Sequence, residues 1–193
     1  MIGIMAKLDF MLFETPIGCC GIVWSDRGVV GVQLPEGNER ATRDRVRRRY
    51  PAAQETAPPA EMRRVMKDIA DLLGGEPRDF SYVTIDGEGV AEFNRRVYDI
   101  ARTIPAGSTL SYGEVAERMG DRMLARDVGQ ALGENPTPII VPCHRVLGAG
   151  GKPGGFSAPG GVDTKLRLLT IEGARLGEPM LFDRLPWATR TAR

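Results

Sequence analysis

The first third of the chain carries its apolar residues in short runs separated by turn residues. LDFMLFE, CCGIVWS and VVGVQL fall within residues 8–34, divided by TPIG and DRG. That pattern predicts strands joined as a hairpin or meander. Residues 38–49 (NERATRDRVRRR) are mostly polar and predict an exposed helix, stopped by Pro51. AAQETAPP reads as a loop. AEMRRVMKDIADLLGG repeats apolar residues at helical spacing and ends on glycines, which predicts an amphipathic helix. DFSYVTID reads as one further strand.

Beyond residue 88 the pattern becomes helical. VAEFNRRVYDIARTI predicts a helix closed by Pro105. SYGEVAERMG opens on Ser111 with Glu114 three residues later, the pattern of a capping box. After the turn GDRM comes a second short helix, LARDVGQALGEN. Two short helices so spaced look like a helix-turn-helix, a common pattern that does not by itself imply DNA. NPTPIIVPCHRV holds three prolines and predicts a rigid extended segment running into Cys143. LGAGGKPGGFSAPGG is a glycine-rich loop, and VDTKLRLLTIEG a last helix with Leu166, Leu169 and Ile171 available for packing. The expected fold class is α+β, in three parts. Residues 1–88 form a mixed α/β domain with a small antiparallel sheet. Residues 89–175 form a helical domain with the helix-turn-helix, and 176–193 a tail without clear pattern.

Composition sets bounds on this picture. Hydrophobic residues make up 42% of the 193, enough for a core, which excludes global disorder. The net charge of +1 excludes a polycation, although residues 1–91 sum to −2 and residues 92–193 to +3. Cys19 and Cys20 are adjacent, and with Cys143 the count is odd, which argues against a disulfide framework. The N-terminal stretch is broken by Lys7, Asp9 and Glu14, so neither a signal peptide nor a membrane span is expected, and the expected setting is a reducing cytoplasm.

The chemistry concentrates at Pro142-Cys143-His144-Arg145. His144 is the only histidine in the chain. A thiol attacks as its thiolate, which cationic or proton-accepting neighbours promote. This segment therefore joins a nucleophile, a base and a fixed positive charge. Neighbouring side chains tend to point apart, so His144 would act on Cys143 through a water. Read by itself, Cys143 is more simply a buried structural thiol, as most free cysteines are, and that is also the reading for Cys19 and Cys20 in their apolar strand. Three cysteines and one histidine, spread apart, do not make a structural zinc site, and the glycine-rich loop has neither dinucleotide nor P-loop spacing. No metal or cofactor is expected.

RDVGQALGENPTPIIVPCHRV, preceded by IPAGSTLSYGEVA and followed by GGFS and KLRLLTIEG, resembles the O6-alkylguanine-DNA alkyltransferases, also called methylated-DNA–protein-cysteine methyltransferases. The resemblance covers about residues 92–173, and the family's N-terminal domain is ribonuclease-H-like. It implies repair of O6-alkylguanine, and of O4-methylthymine, in double-stranded DNA by one-time transfer of the alkyl group to Cys143, with the protein acting as a monomer. It implies His144 as water-mediated base and Glu172 as the group that orients it. Arg126 would enter the base stack in place of the flipped nucleotide. Tyr112 would hydrogen-bond the guanine and assist its protonation. Ser111, Gly129 and Gly133 would face DNA, the glycines allowing close approach to its backbone; tight helix packing accounts for them equally well. Asn135 would tie the helix-turn-helix to the active-site segment. The carbonyls of Cys143 and Val146 would accept the guanine amino group, the amide of Ser157 would donate to O6, and Pro138 would line the alkyl side. Phe156 stands where many members carry tyrosine, and Ala158-Pro159 departs from the pattern, so the alkyl range is open. A different class, the alkyltransferase-like proteins that bind lesions without transfer, lacks the acceptor cysteine that this chain has.

Overall fold

The computed structural model describes residues 7–174, so the expected tail at 176–193 lies outside the described residues. Three strands, β1 (Asp9–Thr15), β2 (Gly18–Ser25) and β3 (Gly28–Gln33), form an antiparallel meander as the alternating runs require. β2 is central and buried almost throughout, which explains why its apolar residues run continuously instead of alternating. Helix α1 (Glu39–Arg49) is capped by Asn38, whose side chain accepts from the amide of Ala41. It covers one sheet face through Val46, which packs with Phe10, Leu12, Cys19 and Val23. Its remaining face is exposed, as its polarity implies. Strand β4 (Gln54–Glu55) lies where a loop was expected and pairs in parallel with β1, so the sheet is mixed, not purely antiparallel, in the order β3-β2-β1-β4.

Helix α2 (Ala60–Leu73) covers the opposite face with Met62, Val65, Ile69, Leu72 and Leu73, the stripe that its periodicity marks. The strand expected at 79–86 does not form. Ile85 makes a single parallel bridge to Val29, and the preceding backbone is tied down by side chains instead. Asp79 accepts from the amide of Ser81 at 2.8 Å, and Arg102 collects the carbonyls of Phe80 and Val83 at 2.8 Å each. With its carbonyls taken by a guanidinium, the segment has few groups left for a ladder.

The second half holds α3 (Glu92–Arg102), β5 (Leu110–Ser111), α4 (Tyr112–Arg118), α5 (Ala125–Gly133), β6 (Val146–Leu147) and α6 (Gly161–Ile171). The Ser111–Glu114 capping box is present in both directions, at 3.1 Å and 2.6 Å. α4 and α5, joined through a 3-10 turn at Arg122–Leu124, form the expected helix-turn-helix. β5 pairs in parallel with β6, which fixes the start of α4 beside the segment after Cys143. The two halves share a core: Ile139, Ile140 and Leu168 pack in the same cluster as Ile22, Val32 and Ile69. The amide of Val32 also donates to the carbonyl of Pro136 at 2.9 Å. Among the described residues no helix is long and apolar enough to cross a membrane.

Candidate active site

The segment leading into Cys143 is a compact turn, not the rigid extended segment that its prolines predict. The amide of Val141 donates to the carbonyl of Thr137 at 2.9 Å, and Ile139 takes a positive φ of 75°, rare for a β-branched residue. Asn135 is the pin of this turn. Its side-chain amide donates to Val141 O at 2.9 Å while its oxygen accepts from the amide of Thr137 at 3.0 Å and from the Thr137 hydroxyl at 3.3 Å. The prolines pointed to an extended segment; the Asn135 bonds and the burial of Ile139 and Ile140 fold it back instead.

Cys143, His144 and Arg145 form one 3-10 turn. Successive residues of such a turn project about 120° apart, so the three side chains leave in different directions. Cys143 is 6% exposed and lines two clefts. Burial pushes its thiol pKa up, while the Asn135 side chain and the Lys165 charge pull the other way. His144 is fully buried, and its Nε2 lies 2.9 Å from Glu172 Oε1. Burial lowers the His144 pKa, although Glu172 works to raise it, so the ring is neutral at rest. Its Nδ1 has no hydrogen-bond partner among the described residues. With Nε2–H donating to the carboxylate, Nδ1 keeps a free lone pair, the arrangement of a base.

Arg145 was read from its position as a positive charge for the thiol. The structure corrects this. Its guanidinium forks onto Glu172 with two bonds of 2.8 Å and donates to the carbonyl of Ile104 at 2.5 Å. Burial would raise the Glu172 pKa, but the bonds from His144 and Arg145 outweigh it and hold the carboxyl at about 2. Glu172 is therefore a fixed anion between a ring and a guanidinium.

The cation near the thiol is Lys165, which the sequence reading passed over. It is 1% exposed, and its ammonium donates to Val146 O at 2.7 Å and to the Tyr112 hydroxyl at 3.3 Å. Burial lowers its pKa to about 8, so it is mostly charged at neutral pH. Burial, and then the Cys143 sulfur, raise the Tyr112 pKa, so the phenol keeps its proton and can donate it. The signal was available: Lys165 sits three and four residues before Leu168 and Leu169, on the apolar face of α6.

One cleft, of about 540 Å³, collects Tyr112, Arg126, Gly129, Gly133, Phe156 and Ser157 around Cys143. Arg126 is exposed at the start of α5 and forms no ion pair among the described residues. A Cβ at Gly133 would meet nothing within 4 Å, and one at Gly129 would make only ordinary contact with the Tyr112 ring at 3.8 Å. Tight helix packing is thus not what these glycines serve. A Cβ at Gly154 would stand 3.1 Å from the Tyr112 hydroxyl, so the glycine-rich loop lies directly on that tyrosine. The second cleft takes Asn135, Pro138, Phe156 and Ser157. Ser111 lies outside both clefts as the cap of α4, and Val146 is buried beneath them.

The 6-O-methylguanine DNA methyltransferase DNA-binding domain matches residues 92–174. A methylated-DNA–protein-cysteine methyltransferase of Methanothermobacter thermautotrophicus is 38% identical over 83% of each chain. One of Mycolicibacterium paratuberculosis is 34% identical over 86% of this chain and 92% of its own. The structure resembles Mycobacterium tuberculosis OGT in complex with DNA, with a TM-score of 0.68 and 33% identity over 86% of this chain and 92% of that one. With the thiol, the histidine–glutamate pair and the helix-turn-helix in place, this chain belongs to the methylated-DNA–protein-cysteine methyltransferase family.

Proposed function

We propose that Cys143 takes the alkyl group from O6-alkylguanine in duplex DNA and keeps it, one transfer per chain. The observation that carries this is the setting of one thiol: Cys143 shares a cleft with Tyr112, whose phenol is held by a buried cation, and is followed directly by a neutral histidine held by a buried anion. The family's direct-transfer DNA repair is the activity this arrangement serves. The mycobacterial structure in complex with DNA supports DNA as partner. Residues 89–175 bind DNA and transfer the alkyl group, and residues 1–88 are the structural domain that braces them. The protein works as a monomer in the cytoplasm.

An alkyl group on O6 points into the duplex, so the nucleotide must be extruded before a thiol reaches it. Arg126, exposed in the cleft lining and without an ion pair among the described residues, fills the vacated place in the stack. The base enters the cleft of Tyr112, Gly129, Gly133 and Ser157. The carbonyls of Cys143 and Val146 already accept one bond each, from Val146 N–H and Lys165, and each keeps a second lone pair for the guanine amino group. The thiol proton passes through water to His144 Nδ1, and Glu172 stabilises the resulting imidazolium. Sγ then forms a bond to the alkyl carbon as the carbon–O6 bond breaks. The electron pair stays with the guanine, and the Tyr112 phenol protonates the ring. Lys165 positions that phenol and stabilises the thiolate.

A thioether is a stable end point, and nothing in the site can remove it. Intact mass after mixing with O6-methylguanine duplex is expected to rise by one methyl per chain. Cys143→Ser is expected to bind the duplex with no mass gain, whereas changes at Cys19 or Cys20 leave transfer intact. Release of more than one equivalent of guanine per chain contradicts the proposal. Tight binding with unchanged mass in the wild type indicates a lesion-binding protein instead.

A further inference from the structure

Cys143 opens on a second cleft that methyl transfer does not need. This cleft, of about 330 Å³, runs from the thiol past Pro138 and Phe156 onto the N-terminal half, where α1 contributes Arg45, Arg48 and Arg49. A methyl group is about the size of a water, ~30 Å³ of liquid volume, so it cannot account for a space of this size. Displacement at carbon keeps the sulfur, the carbon and O6 in line. Any further chain on that carbon must leave sideways from this axis, away from the base. Of the two clefts described at Cys143, one is assigned to the base, which leaves this one.

The walls of this cleft have a sign. The arginines stand at i, i+3 and i+4, on one face of α1. The only acid in the lining is Glu36, and it lies 3.6 Å from Arg45. Arg48 and Arg49 have no carboxylate partner among the described residues; Arg49 lies over the Tyr50 ring at 5.5 Å. Both are exposed and free to turn toward a bound anion.

Resting on the reading of Cys143 as the acceptor, we infer that this cleft is a subsite for extended, anionic O6 substituents, with the carboxylate of a carboxyalkyl group held by Arg48 and Arg49. The reaction is unchanged: Sγ bonds to the methylene, the methylene–O6 bond breaks, the electron pair leaves with guanine, and the carboxylate takes no part in the bonding.

The test uses three duplexes of one sequence carrying O6-methyl-, O6-pentyl- and O6-(carboxypropyl)guanine, with single-turnover rates for the wild type and for Arg48→Gln/Arg49→Gln. Contacts to the phosphates are common to all three and cancel in a ratio. The carboxypropyl-to-pentyl rate ratio is expected to fall about fivefold in the variant, the scale of a partly exposed ion pair, and to fall with added salt in the wild type. An unchanged ratio overturns the subsite. If instead all three rates fall together with a shallower salt dependence, the arginines serve DNA phosphates and the inference is wrong. A wild type that repairs methylguanine but neither longer adduct shows the cleft closed to substituents, which also overturns it. Only a wild type inactive on methylguanine itself removes the reading of Cys143.

Discussion

Lys165→Met separates the electrostatic role of the buried lysine from simple packing. The Lys165 pKa falls from 10.5 to about 8 because burial disfavours its charge. The side chain is almost fully enclosed, so the shift of two to three units corresponds to about 3 kcal/mol. Between pH 8 and 10.5 the unfolded chain binds the proton that the folded chain has released. Stability from this group therefore rises with pH across that window. Methionine has similar length and no charge, so it relieves the burial cost but leaves Val146 O without its donor. An unsatisfied buried carbonyl costs about 1–3 kcal/mol, so the two changes nearly cancel at pH 7. The difference between variant and wild type then shifts by about 3 kcal/mol toward the wild type as pH rises from 7.5 to 10.5. Transfer is expected to slow about 10- to 100-fold at pH 7, the scale of a lost charge-assisted hydrogen bond. Urea unfolding at several pH values and single-turnover transfer rates measure both quantities. Parallel stability curves for the two proteins, or an unchanged transfer rate, would refute the role given to Lys165.

Glu172→Gln leaves Arg145 buried with half its partner gone. A loss of about 3–5 kcal/mol on urea unfolding is expected, with slower transfer and similar DNA affinity. In the wild type, the Glu172 pKa lies below that of the unfolded chain, from 4.5 to about 2, so its contribution is complete above pH 4.5 and disappears as pH falls through about 2; acid unfolding followed by circular dichroism should show that loss, and the variant should not. Arg126→Ala is expected to slow repair of duplex substrate far more than reaction with free O6-benzylguanine, because a free base needs no extrusion; equal losses on the two would place Arg126 in the pocket wall. Asn135→Ala removes three buried bonds from the turn before Cys143 and is expected to cost about 3 kcal/mol, with a loss of transfer rate that restoring stability by an osmolyte does not recover.

Local rules made the meander, α2, the Ser111 cap and the helix-turn-helix legible, because each is encoded by neighbouring residues. Three features were not: two depend on a distant partner, and the third on side-chain bonds within its own turn. Strand β4 exists because β1 offers it an edge, and its two residues carry no strand pattern of their own. Residues 79–86 look like a strand, but Arg102 takes their carbonyls. Positive φ at Ile139 follows from the Asn135 bonds, not from the prolines on either side. At the site, the resemblance indicated Cys143, His144 and Glu172, and the structure pairs His144 with Glu172 in the turn that begins at Cys143. Arg145 was misassigned because adjacency in sequence is not adjacency of side chains in a 3-10 turn. Lys165 was overlooked because a lysine in a helix is ordinarily a surface residue, although its place in the apolar stripe marked it.

The core shared between the halves bears on how the protein is made. Val32 and Ile22 come early in the chain, but the residues that cover them include Ile140 and Leu168. At a synthesis rate of about 5–20 residues per second, Leu168 follows Leu34 by on the order of ten seconds. During that interval the sheet can collapse with α1 and α2, but part of its apolar face has no cover, and the edge of β3 still lacks the carbonyl of Pro136. The nascent chain is thus exposed to edge-to-edge pairing with its neighbours until its last described helix arrives. A protein consumed by every repair event must be synthesised in proportion to damage, so this vulnerable interval recurs most often when the cell is under alkylation stress.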